Sequence, residues 1–131
     1  MKRTVYETVA VVGTALLLGS TVLVARQDPA TATAPREIEV VAKRFAFEPS
    51  QIEVTEGERI RLLVRSADGV HGMEIKRHKV NTVIPRGGKP VVIDFVAAAP
   101  GRYEILCTEE CGEGHETMKG TLIVQAKAKA R

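Results

Sequence analysis

From Arg36 onward the chain consists of short runs in which apolar residues alternate with polar ones, and no 3.6-residue apolar period lasts long enough for a long helix. A period of two sends successive side chains to opposite faces of a strand, so each run has one face to bury and one to wet. Ile38, Val40 and Ala42 share one such face. Ile60, Leu62 and Val64 share another, with Arg59, Arg61 and Arg65 on the outer side, where charge keeps the face solvated and discourages edge pairing. Ile93 and Phe95 face together within Val91–Val96; Tyr103, Ile105 and Cys107 alternate with Glu104 and Leu106; Leu122 and Val124 share the face of a last strand. Turn residues fall between the runs at Glu56-Gly57, Ala67-Asp68-Gly69, Arg86-Gly87-Gly88 and Pro100-Gly101. Short strands at this spacing predict an all-β fold, an antiparallel sandwich or barrel.

The N-terminus has a different character. Val9 to Ala25 is uncharged, preceded by Lys2 and Arg3 and closed by Arg26. A run of roughly 17–25 apolar residues spans a bilayer as a helix, whereas a secretory signal has a shorter core followed by small residues. Leu23-Val24-Ala25 is a poor cleavage site, so an uncleaved transmembrane anchor is preferred over a signal segment. Lys2 and Arg3 would hold the short leading end in the cytoplasm and put the rest outside. Asp28 to Pro35, rich in Ala, Thr and Pro, reads as an extended linker. The expected organisation is an anchor over 1–26, a linker over 27–36, a domain over 37–126 and a basic tail over 127–131. Its location would be the cytoplasmic membrane, single-pass, with the domain on the periplasmic side.

The full 131 residues leave room for one domain of about 100 residues beyond that appendage. The net charge of +3 comes from 19 basic and 16 acidic residues without a basic block interleaved with aromatics, which argues against a nucleic-acid partner. Lys76, Arg77 and Lys79 read as a solvated charge run, and His78 among them as a solvated residue.

Function concentrates in Cys107-Thr-Glu-Glu-Cys111-Gly-Glu-Gly-His115-Glu-Thr-Met118, which holds both cysteines of the chain. Thiolate, thioether and imidazole together form a soft donor set that suits copper, while calcium and magnesium want oxygen and structural zinc rarely uses methionine. Gly112 and Gly114 let the loop bend tightly. Cys111, His115 and Met118 from one loop, completed by the distant His71, would make a mononuclear electron-transfer site. Cys107 is then left over. With three residues between them, both thiols can instead point at one centre and bridge two copper ions, one taking His115 and the other His71, with Met118 and a carbonyl between the cysteines as weak axial contacts.

This stretch resembles the binuclear CuA loop of cytochrome c oxidase subunit II, patterned C-x-E-x-C-G-x-x-H-x-x-M. The resemblance extends through Phe45-Ala-Phe47-Glu-Pro49, Val70-His71-Gly72, Pro100-Gly101-Arg-Tyr103 and Gly120-Thr-Leu-Ile-Val124, and the short single-anchor form is similar to subunit II of ba3-type oxidases. It implies a cupredoxin Greek-key barrel or sandwich. It also implies Cys107 and Cys111 as bridging ligands, His71 and His115 as terminal ligands, and Met118 and the Glu109 carbonyl as axial ligands. The Glu109 side chain is then a candidate for a magnesium ion at the subunit I interface. The implied role is that of the subunit through which electrons from a cytochrome c or small cupredoxin enter a haem–copper oxidase. Oxygen chemistry would belong to subunit I, leaving this chain without catalytic residues of its own.

The chain departs from the pattern in places. Met73 stands where relatives carry an aromatic residue, there is no tryptophan, and Glu109, Glu110, Glu113 and Glu116 ring the loop with negative charge that could steer a basic redox protein. The alternative function is a free-standing, anchored periplasmic copper protein, an electron shuttle or copper carrier. A Cys107–Cys111 disulfide would leave the spacing of His115 and Met118 unexplained, and a zinc site would make Met118 accidental.

Overall fold

The computed structural model describes residues 33–130; the expected anchor over 1–26 lies outside the described residues. Nine strands run through the described residues: β1 (Arg36–Lys43), β2 (Ala46–Glu48), β3 (Gln51–Thr55), β4 (Arg59–Ser66), β5 (His71–Ile75), β6 (Val80–Ile84), β7 (Val91–Val96), β8 (Gly101–Leu106) and β9 (Lys119–Gln125). They form two sheets, one ordered β2-β1-β4-β7 and the other β3-β9-β8-β5-β6. The only helical pieces described are two 3-10 turns, Lys76–His78 and His115–Thr117. Among the described residues no helix is long and apolar enough to cross a membrane.

The alternating runs become the inner faces of the sandwich. Val40, Ala42, Ile60, Leu62, Val64 and Ile93 from one sheet meet Ile52, Val54, Met73, Ile75, Ile105, Leu122 and Val124 from the other, all buried. A fully buried side chain of this size contributes about 1.5–3 kcal/mol. Met73 is a core residue with no exposed surface. On the outer face, Arg61 forms a two-pronged pair with Asp94 at 2.8 and 3.1 Å, so this arginine braces β4 against β7 as well as wetting the surface.

The sheets are not wholly antiparallel as the spacing of the runs predicts. β1 runs parallel to β4, from Arg36 opposite Ile60 to Ala42 opposite Ser66, and β3 runs parallel to β9. Between them the chain turns back as β2 on the other side of β1 and crosses to the second sheet as β3, so β4 returns beside β1 in the same direction. This crossover is a property of topology that alternation does not encode. Its consequence is that the turn after β1, the β4–β5 turn and the long β8–β9 loop gather at one end. His71 opens β5, Cys107 follows β8, and that end carries the site.

His78 corrects the sequence reading. Its ring is half-buried, 4.9 Å from the Phe95 ring and 5.1 Å from that of Tyr103, both edge-on, and its Nε2 accepts a 3.0 Å hydrogen bond from the Ala98 N–H. Arg77 and Lys79 point out of the turn while His78 points in. Burial, then the nearby Arg77 charge, lowers its pKa below 6.5. The folded state therefore favours the neutral ring, so stability is full above pH 6.5 and falls as the pH drops below it, because the unfolded chain binds the proton first. Denaturant midpoints at pH 7.5 and 5.0 should show this loss in the wild type, and His78→Gln, which keeps an acceptor, should reduce it. An equal pH dependence in both proteins would assign the effect elsewhere.

Candidate metal centre

The buried end of the sandwich brings a soft donor cluster together. Ligand atoms of His71, Cys107 and Cys111, all buried, lie within 4.8 Å of one another. The thiols are 3.9 Å apart, neither in a disulfide. Cys111 Sγ also lies 3.7 Å from His115 Nδ1 and 3.8 Å from Met118 Sδ, and Cys107 Sγ lies 3.3 Å from the Glu109 carbonyl oxygen. Every residue expected from the sequence is therefore at this one locus, Glu109 through its main-chain carbonyl.

Local geometry explains how one short loop delivers five of these groups, all but His71. The Cys107 N–H donates to the Met118 carbonyl at 3.3 Å and closes the loop at its base. Inside, Gly112 (φ +128°) and Gly114 (φ +106°) take backbone conformations that side chains rarely adopt, and the turn His115–Thr117 follows directly. The Phe45 ring packs beneath the loop, so a Cβ on Gly114 would meet it at 2.9 Å. Gly114→Ala combines a strained φ with that contact and should cost about 1–3 kcal/mol. Urea denaturation of the copper-free chain checks it; an unchanged midpoint would show that the loop turns without this conformation.

His71 is completely buried, and its two nitrogens are treated differently. Nε2 is 2.6 Å from Asp68 Oδ1, while Nδ1 is a buried nitrogen with no hydrogen-bond partner. Burial by itself would raise the Asp68 pKa. Hydrogen bonds from the Arg44 N–H, His71 and the Gly69 N–H outweigh it and hold the carboxyl at about 2. An ionised Asp68 accepts from Nε2–H, which fixes the tautomer and leaves the Nδ1 lone pair free. An orphaned, buried lone pair beside two thiols is costly unless something binds it, and a thiophilic metal ion fits that need. Burial, then the neighbouring Cys107, pushes the Cys111 thiol up to about 11. A metal binding here must therefore displace protons.

Asp68 and Arg44 are site residues that the sequence reading does not include. The aspartate three residues before His71 offers a signal, because a histidine that binds a metal through one nitrogen commonly donates the other to a carboxylate. Arg44 offers none.

Two facing sheets with a Cys/His/Met cluster at one end, carried mainly by the loop before the last strand, define a cupredoxin-type domain. A family model described as a cupredoxin-like domain matches residues 14–124. Cytochrome c oxidase subunit 2 of Thermus thermophilus is 35% identical over 104 residues, covering 75% of this chain and 76% of that protein. A second Thermus thermophilus cytochrome c oxidase subunit 2 matches at the same 35% identity over 61% of its own length. The chain belongs to the cupredoxin-like family and, within it, to the subunit 2 family of cytochrome c oxidases. Among solved structures it is similar to a chain of a haem–copper terminal oxidase dimer, with a TM-score of 0.62, 26% identity and coverage of 72% of this chain and 68% of that one. The periplasmic domain of subunit II from Bradyrhizobium japonicum shares the fold, with a TM-score of 0.62 at 19% identity over 69% of this chain and 83% of that one.

Proposed function

We infer that this chain is the copper-binding electron-transfer subunit through which electrons enter a haem–copper oxidase. The observation that carries the reading is the His71 arrangement: one ring nitrogen committed to Asp68, the other buried and unpartnered, with two reduced thiols within 4.8 Å, in a chain of the subunit 2 family.

The finer reading is a binuclear CuA centre in which Cys107 and Cys111 bridge two copper ions. His71 and His115 would be the terminal ligands, Met118 an axial ligand and the Glu109 carbonyl the other. When bound, such a pair supplies a one-electron couple. The protein's share of the work is rigidity: buried donors held by the β-sandwich change little on reduction, which keeps the cost of electron transfer low. Glu109, Glu110, Glu113 and Glu116 lie in this loop, and none is in an ion pair among the described residues. That charge would steer a basic donor, a cytochrome c or a small cupredoxin, toward the site. The anchor over 1–26, the periplasmic placement of the copper domain and subunit I as acceptor complete the reading.

The test is electron paramagnetic resonance of the full chain in detergent, loaded with copper under mildly reducing conditions, with copper counted per chain. Hyperfine structure shared by two equivalent coppers is the expected result. A one-copper spectrum, or copper held only as silent Cu(I), would overturn the binuclear reading. Co-purification of a haem-bearing multi-helix subunit tests the partner, and its absence would favour the free-standing shuttle or carrier.

A further inference from the structure

The two halves of the site come from different parts of the chain. His71 arrives with the β4–β5 turn, while Cys111, His115 and Met118 arrive with the β8–β9 loop. Something must hold these segments in register, and one residue touches both. The Arg44 main-chain N–H donates to Asp68 Oδ2 at 2.8 Å, and Asp68 Oδ1 holds His71 Nε2 at 2.6 Å. The Arg44 side chain turns the other way, and its Nε donates to the Cys111 carbonyl at 2.8 Å. Its guanidinium also covers Gly69, where a Cβ would meet Nη2 at 3.2 Å. Phe45, the next residue, supports Gly112 and Gly114 from below.

We propose that Arg44 is a positioning residue that clamps the cysteine loop to the Asp68–His71 pair and so fixes the spacing between the two halves of the donor cluster. The inference rests on the ligand reading above only for its consequence in the loaded protein; the clamp itself belongs to the copper-free chain. A hydrogen bond with one charged partner is about twice as strong as a neutral one. Here the guanidinium also offers a planar fork that lysine cannot copy. Because the bond to Asp68 uses the main chain, side-chain substitution removes the Cys111 hydrogen bond and the cover over Gly69 but leaves His71 tethered through Asp68. The guanidinium additionally puts a fixed positive charge near Cys111, which favours the reduced form of any metal bound there.

The test is amide hydrogen exchange of copper-free full chain, read by mass spectrometry over residues 108–117, for wild type, Arg44→Met and Arg44→Lys. Arg44→Met should exchange about tenfold faster in that segment, the loss of one charge-assisted hydrogen bond. Arg44→Lys should fall between the two, about threefold faster, and serves alone if Arg44→Met does not fold. Residues of β1, β4 and β9 should keep wild-type rates. Unchanged exchange over 108–117, or equal acceleration through those strands, would overturn the clamp. In copper-loaded protein the reduction midpoint should fall in Arg44→Met and stay near wild type in Arg44→Lys, which separates charge from clamp; no fall in Arg44→Met would overturn the electrostatic part. Failure of the binuclear reading would appear in the wild-type spectrum and leave the exchange result standing.

Discussion

Gly72→Ala should cripple the metal centre although it adds a single methyl group one residue from His71. Gly72 is buried on β5, and its N–H donates to Cys107 Sγ at 3.4 Å. A Cβ there would sit 2.9 Å from the main-chain nitrogens of both Thr108 and Glu109, and closer still to the Thr108 hydroxyl. A long flexible side chain could swing away from such a contact. Two backbone nitrogens cannot, so the Cys107–Glu109 segment must move. That segment carries one thiol and the carbonyl that lies against it, while His71 is held by Asp68 and cannot follow. Overpacking of this kind costs about 1–3 kcal/mol, and 1.4 kcal/mol is a factor of ten in binding. The expected result is about 10- to 100-fold weaker copper retention in competition with a chelator, with a denaturant midpoint only modestly lowered. A wild-type copper content and spectrum in Gly72→Ala would mean that β5 and the cysteine loop do not abut as described.

How much of this is legible in the sequence depends on whether the determining contacts are local. β1, β4, β7, β8 and β9 stand out because one face of each is buried and the other wet, which prints a period of two on the sequence. β6 does not, since its inward Thr82 is polar and its exposed Val83 apolar, which hides the alternation of burial. The three residues of β2 are too few to show any period. β3 does alternate, with Ile52 and Val54 buried between more exposed neighbours, but its five residues supply only those two apolar positions. The parallel pairings are not legible at all, since pairing partners are set by the path of the chain through space.

The site divides along the same line. Cys107, Cys111, His115 and Met118 lie within one loop, so their spacing carries the chemistry. Asp68 belongs to a short turn and leaves a trace in the three-residue offset from His71. Arg44 acts across 67 positions of sequence on Cys111 and leaves none. His78 misleads because its charged neighbours describe the outside of a turn whose inside it occupies.

The two cysteines are not equivalent, and the difference predicts which substitution does more damage. Cys111 Sγ approaches three other donors, Cys107, His115 and Met118, whereas the close contacts of Cys107 are its partner thiol, the Gly72 N–H and the Glu109 carbonyl. Cys111 is thus the group through which the loop's own donors meet. Serine in its place supplies a shorter, harder oxygen that stays protonated and is a poor ligand for copper. On the binuclear reading, Cys111→Ser should therefore hold at most one copper per chain and lose the two-copper hyperfine pattern completely. Cys107→Ser should also lose the shared two-copper pattern but keep Cys111, His115 and Met118 together, and so retain one copper with the four-line hyperfine pattern of a single nucleus. The folded chain should tolerate both, because replacing a buried sulfur by oxygen beside polar neighbours costs only about 1–2 kcal/mol. Thermal denaturation of the copper-free variants checks that condition, and copper counting with paramagnetic resonance checks the rest. Two coppers and a shared hyperfine pattern in Cys111→Ser would rule out this thiol as a bridge.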